Sequence, residues 1–361
     1  MLRSTLRLAA AIALSTAPAL AEDAAKPEAA TTPPTIAAPV APAASPAAPG
    51  TVVPAPATPA SPAEIIIPPA PAAAPTIGID PSRFGEKPAD PAFGAYQRGH
   101  YLTAFNIALP RAKQGDPAAM TLVAEIYARG LGLAKNEKEA AAWYGKAADA
   151  GVAEAQFQYA LVLLDGRLVD KDEARAKKLM QAAADSGNRL AQFNLAQMIL
   201  DSESGTAGQL RAVEYYMKAA EAGLPDAQYA VSQIYANGAG GISKDEPEAR
   251  KWLLLAAQQN FDTAQVDLGA WLVEGKGGPR DMKAGFGWMR RAAQGGNVAA
   301  QNRLARLYVE GLGVEPDGIE GAAWYIIARR AGLVDRYMED VMQGLTDDET
   351  KKAIERANKL R

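Results

Sequence analysis

From Asp116 onward the chain repeats itself. Alanines recur at Ala119, Ala155, Ala191, Ala227, Ala264 and Ala300, a spacing of 36 residues broken by a one-residue insertion in the loop GAGGISKD. A fixed period of this length marks a unit too small to bury its own apolar face, which must stack on copies of itself to complete a core. A bulky residue keeps the same beat, at Trp143, Leu179, Tyr215, Trp252, Trp288 and Trp324. An alanine pair and a chain-turning glycine or asparagine usually follow it, as in AWYGKAADAG and EYYMKAAEAG.

Each unit reads as two helices. In the first, apolar residues fall on one stripe, as at Ala119, Val123, Ile126 and Tyr127. One position stays small (Ala124, Ala160, Ala196, Ser232, Gly269, Ala305) and so admits a close partner helix. Gly130, Gly166, Gly238, Gly275 and Gly311 then end the helix where a left-handed backbone is needed. The second helix is expected to start at Asn136, Asp172, Gly208, Asp245, Asp281 and Asp317, with Glu139, Glu248 and Glu320 forming capping-box-like pairs. The bulky residue is expected to pack inward, and the alanine pair to allow close contact with the next unit. The fold class is therefore all-α: a solenoid of about six repeats over 116–332, led by a half-unit within 78–115 and closed by capping helices over 333–361. His100 falls in the N-cap column of the leading unit, and Thr346-Asp347-Asp348-Glu349 signals the last helix.

The first 77 residues are different. Arg3 and Arg7, the apolar stretch Leu8 to Leu14, and Ala19-Leu20-Ala21 read in order as a secretory leader over 1–21, cleaved after Ala21. An uncleaved anchor is the alternative. Fifteen of the 25 prolines fall between Glu22 and Gly78. Residues 22–77 thus lack the periodicity for a core and read as an extended tether, reaching at most roughly 170 Å at about 3.1 Å per residue. Ile65, Ile66 and Ile67 interrupt it, either as a docking strand or as an apolar patch without a role. Loss of Arg3 and Arg7 would take the formal net charge from −3 to −5. With no basic block, that balance argues against nucleic acid or anionic lipid as partner. The sequence contains no cysteine, which excludes disulfides and attachment through a lipidated cysteine.

The repeat resembles the Sel1-like family, relatives of the tetratricopeptide repeats. The last unit carries the pattern most fully, in Ala300, Leu304, Tyr308, Gly311, Gly313, Val314, Asp317, Ala322, Trp324, Tyr325 and Gly332. In the third unit Ser202 replaces the loop glycine and SESGTAG follows. The resemblance implies a right-handed αα superhelix that binds proteins or peptides, often as an adaptor, and some exported bacterial relatives restrain envelope sensor kinases.

Signals of chemistry are weak. His100 is the one histidine, and with no cysteine a transition-metal site of the usual kind cannot be assembled. The loops GLGLAK, GAGGISK and GKGG end helices and lack the P-loop ending. No cofactor and no catalytic residue is expected. One further stripe stands apart from the core pattern: Phe157, Leu161 and Leu164; Phe193, Gln197 and Leu200; Tyr229 and Gln233. In tetratricopeptide relatives this stripe lines the concave groove. It reads either as a partner-binding ladder or as packing between neighbouring units. The expected function is a periplasmic adaptor or regulator that binds a cell-envelope protein or peptide there. The alternatives are a structural spacer without a ligand, or a cell-wall or β-lactam hydrolase, for which no nucleophile–base pair is visible.

Overall fold

The structure, a computed structural model, describes residues 90–360. The leader at 1–21, the tether at 22–77 with Ile65, Ile66 and Ile67, and residues 78–89 lie outside the described residues. Among those described there are sixteen helices and no strand. A leading pair, α1 (Pro91–Gln97) and α2 (Tyr101–Lys113), precedes six pairs. These are α3 (Pro117–Arg129) with α4 (Glu137–Asp149), α5 (Ala153–Asp165) with α6 (Glu173–Asp185), and α7 (Arg189–Ser202) with α8 (Thr206–Glu221). Next come α9 (Pro225–Asn237) with α10 (Glu246–Gln258), α11 (Asp262–Glu274) with α12 (Met282–Gln294), and α13 (Val298–Glu310) with α14 (Gly318–Arg330). Two closing helices follow, α15 (Arg336–Gln343) and α16 (Asp347–Lys359). Each repeat helix packs on its chain neighbours, first on second within a unit and second on first across units.

Local chemistry sets most helix ends. Asn136, Asp172, Asp245, Asp281 and Asp317 each accept the N3 backbone N–H of a second helix at 2.8–3.1 Å, a cap worth about 1 kcal/mol. Gly130, Gly166, Gly238, Gly275 and Gly311 all end first helices at positive φ. Asn260 stands where other units turn on glycine, and at φ 65° it is the sole non-glycine with positive φ among the described residues.

Three expectations need correction. Gly208 does not start α8; the helix begins at Thr206, and Gly208 lies buried inside it. With the loop reduced to Glu203–Gly205, a Cβ at Gly208 would stand 2.5 Å from the Glu203 carbonyl oxygen. Glu139, Glu248 and Glu320 do not complete capping boxes. Glu248 pairs with Lys251 at 2.7 Å and Glu320 with Arg356 at 2.6 Å, while the one full box among the described residues is Thr346 with Glu349. His100 does occupy an N-cap, but its side chain makes no capping bond.

The third correction concerns the core. Of the large side chains on the second helices, the consistently buried column is the residue after the expected one: Tyr144, Met180, Tyr216, Leu253, Met289 and Tyr325. Trp252 instead packs half-buried against the cluster of the preceding unit, which holds Tyr216 and Ala220, and Trp288 packs against the one holding Leu253. Leu179, Tyr215, Trp252 and Trp288 are thus half-buried seam residues, Trp143 and Trp324 are buried as expected, and the neighbouring column fills the interior of every unit. The alanine pairs are buried as expected.

A second column ties units together by polar means. Gln156, Gln192, Gln228, Gln265 and Gln301 are all buried. Each donates through Nε2 to a last-turn carbonyl of the preceding second helix, at Ala148, Ala184, Ala220, Ala257 and Ala293, over 3.0–3.4 Å. Each of those carbonyls also accepts the backbone N–H of the turn that follows its helix, from Gly151, Gly187, Gly223, Asn260 and Gly296, so the glutamine adds a second bond that joins consecutive units.

Candidate functional site: the face of the first helices

The stripe singled out in the sequence lies on α5, α7 and α9. Phe157 is 5% exposed and belongs to the inter-unit core, so its ring offers no surface to a partner. Phe193 is half-buried and meets Tyr216 edge-on at 5.4 Å between centroids. The Tyr229 ring tilts against Phe261 of the next unit at 5.2 Å, and its hydroxyl donates to Asp267 Oδ2 at 3.0 Å. Leu164 and Leu200 are half-buried against the same cluster as Phe157. The three aromatics therefore do not form one open ladder. Each leans on a neighbouring helix, as the packing reading of this stripe requires.

The same positions elsewhere behave alike. In the first unit Glu125 accepts the Tyr144 hydroxyl at 2.6 Å. In the sixth, Asn302 and Arg306 hold Asp335. Leu161, Gln197 and Gln233 form one row on three successive first helices, with the same intermediate exposure as Phe193, Leu164, Leu200 and Tyr229, and Leu161 packs on the cluster that holds Phe157. All three are half-exposed, and the side-chain amides of Gln197 and Gln233 make no hydrogen bond among the described residues. Beside them, the amide of Gln158 donates to Glu154 and that of Asn194 to the Leu190 carbonyl, each at 2.8 Å.

Charge is uneven on these helices. α5, α7, α9 and α11 carry Glu154, Asp165, Asp201, Asp226, Asp262, Asp267 and Glu274 against Arg189 alone. Burial pushes the Asp267 carboxyl above its usual range, and burial, reinforced by the Asp267 charge, pushes the Tyr229 hydroxyl up. The pair is a satisfied structural contact, since the phenol donates to the carboxylate. His100 is exposed at the start of α2, in the leading pair. Among the described residues no three His, Cys, Asp or Glu side chains gather as a metal would need, and no helix is long and apolar enough to cross a membrane. The arrangement can bind; it holds no assembled catalytic group.

A stack of paired helices presenting a polar row of this kind is a protein-interaction scaffold, of the class built by Sel1 and tetratricopeptide-like repeats. The chain belongs to the Sel1 repeat family, whose repeat matches residues 117–152, 153–188, 189–224, 225–261, 263–297 and 298–333. Among solved structures it is similar to a Sel1 repeat protein from Oxalobacter formigenes, with 27% identity and a TM-score of 0.56, covering 66% of this chain and 94% of that one. It is also similar to a protective antigen of uropathogenic Escherichia coli strains, with 26% identity and a TM-score of 0.48, covering 74% and 68% of the two chains. A comparison with curated proteins found no match.

Sequence reasoning missed the glutamine ties at Gln156, Gln192, Gln228, Gln265 and Gln301. Their signal was a polar residue held at a position flanked by apolar ones, which in a buried face calls for a backbone partner.

Proposed function

We propose that the protein is an exported, periplasmic adaptor or regulator that holds a segment of an envelope protein along its first helices. The observation that carries this reading is the row Leu161, Gln197 and Gln233: half-exposed, equivalent in three successive units, and ending in two uncommitted amides. A carboxamide both donates and accepts, so it can bind either group of a partner's main chain without demanding a side-chain identity. Repetition at one position per unit gives an extended segment regular purchase. Leu161, with the exposed margins of Phe193, Leu164, Leu200 and Tyr229, supplies apolar contact beside the amides. Phe157 serves the fold. The ordered charged, apolar and A-x-A elements of residues 1–21 support export.

Photocrosslinking in intact cells tests it, with the crosslinker placed at Gln197 or Gln233 and, as control, at the exposed Lys138 of α4. The expected result is one envelope protein captured from the first two positions and not from the third, by a chain whose N-terminus is Glu22. Absence of any specific adduct would favour a spacer without a ligand, and a chain retaining Met1 would remove the export step.

A further inference from the structure

The seam between second helices has a gap in its cover. Three of its bulky rings carry a cation supplied three residues later on the same helix: Lys146 lies 4.2 Å from the Trp143 ring centroid, Lys218 5.0 Å from that of Tyr215, and Arg291 5.7 Å from that of Trp288. In the fourth unit that position is Leu255, and Leu254 stands beside it; they are 38% and 37% exposed. Single exposed leucines are common, but here two lie together beside a half-buried tryptophan, three of whose five equivalents carry a cation, with Ala182 and Ile327 at the corresponding position of the other two.

The next second helix, α12, has the complementary character. It holds Lys283, Arg290 and Arg291 and no acidic residue. None of the three is in an ion pair with a described carboxylate. Arg290 and Arg291 occupy the repeat positions of Leu254 and Leu255, one unit on. The exposed positions that hold an apolar pair on α10 therefore hold, one unit on, two arginines outside any described ion pair, Arg291 donating only to the neutral Asn260 Oδ1 at 2.6 Å.

We propose that this surface, Trp252, Leu254 and Leu255 with Arg290 and Arg291, docks an acidic amphipathic helix of a partner protein. Leucines of such a helix would cover the α10 side, and its carboxylates would meet the guanidinium groups of α12. Packed helices lie about 8–10 Å apart, a separation that one bound helix bridges with its apolar stripe and one flank. Insertion into an anionic membrane suits the site less well. Insertion needs projecting apolar side chains, whereas these leucines lie nearly two-thirds covered within a helix surface. The surface is separate from the first-helix row, so either assignment can fail without the other.

The test uses the full chain and two synthetic helical peptides of one design. Both carry leucine at i, i+3, i+4 and i+7; the remaining positions are Glu-rich in one and Lys-rich in the other. Calorimetry and tryptophan emission should show binding of the Glu peptide alone. Leu254→Ser with Leu255→Ser should weaken it by about tenfold or more. Arg290→Gln with Arg291→Gln should do the same and flatten the salt dependence. Melting temperatures should stay near that of the unaltered protein; if the serine pair disturbs the fold, Leu255→Gln alone replaces it. Equal affinity for both peptides, no binding, or indifference to both pairs of changes would overturn the proposal. So would binding to phosphatidylglycerol vesicles in place of the peptide, or self-association abolished by the leucine changes, which would assign the surface to lipid or to a second copy.

Discussion

Arg306 grips Asp335 through two hydrogen bonds, Nε to Oδ2 at 2.8 Å and Nη2 to Oδ1 at 2.6 Å. Asp335 is 8% exposed, also accepts from Asn302 Nδ2 at 2.6 Å, and caps α15 through the Tyr337 N–H. The contact joins α13 of the last unit to the closing helices, just where a seventh unit would begin. The Arg306 guanidinium holds the Asp335 carboxyl below its usual range. A depressed folded value means the contribution is complete above the unfolded value of about 4 and fades as pH falls through the lower folded one. Asp335→Ala should cost about 1–3 kcal/mol, because it also strands Asn302 and a cap. Hydrogen exchange over 336–343 should accelerate in that variant at neutral pH, and in the unaltered protein only in strong acid. Equal protection of both at pH 7 would show that α15 is held without Asp335, by its apolar contacts and by Glu339, which accepts the Tyr325 hydroxyl at 2.6 Å and pairs with Arg329.

Two leucines on α10 separate seam from interior with identical chemistry. Leu253 is 1% exposed, whereas Leu255 faces solvent. Leu253→Ala should cost about 2–5 kcal/mol by leaving a cavity. Leu255→Ala should stay within about 1 kcal/mol, as surface changes do. Chemical denaturation decides between them. Comparable losses would mean that the two columns have been assigned the wrong way round.

That pair also shows what the sequence could and could not reveal. Unit length, helix pairing, left-handed glycine ends and aspartate caps were legible, because each rests on residues a few positions apart. The choice between Trp252 and Leu253 as interior was not. Neighbouring residues on a helix point only about 100° apart, so two adjacent apolar columns both fit an inward stripe. The burial of Phe157 was undecided for a related reason. How far one unit covers the next depends on the angle between helices, which no single helix encodes. Gly208 misled because the repeat frame assigned a start that the shortened loop before α8 could not accommodate. Of the candidate site, Phe157 is buried in the core between units, while Phe193, Tyr229, Gln197 and Gln233 share an intermediate exposure.

Two glycines of the last unit, both at positive φ, test how closely loops seat on the preceding unit. At Gly313, φ 78°, a Cβ would overlap the Met282 carbonyl oxygen at the start of α12; at Gly332, φ 93°, nothing lies near. Alanine at Gly332 should cost about 1–2 kcal/mol for its left-handed backbone alone. Gly313→Ala should cost clearly more, since the loop must also lift from α12. If thermal melting gives the same loss for both, the seating contributes nothing.

The glutamine ties make the sharpest electrostatic prediction. Gln192 donates to the Ala184 carbonyl at 3.1 Å, near the C-terminal end of α6, and is buried. In Gln192→Glu a carboxylate would replace the donor, facing a carbonyl oxygen and the negative end of a helix dipole. Burial and these neighbours should raise its folded pKa above the unfolded value of about 4.3. A raised value means that stability is retained below the unfolded pKa, where the protonated acid can donate as the amide does, and is lost as pH rises through the folded pKa. The variant should therefore match the unaltered protein near pH 4 and fall about 1–3 kcal/mol behind it at pH 7. Gln192→Leu, which removes the bond without adding charge, should lose a similar amount at both pH values. The readout is the difference in denaturation midpoint between variant and parent at each pH. A pH-independent gap for Gln192→Glu would mean that its carboxyl reaches water, and that the column is not the buried tie its geometry describes.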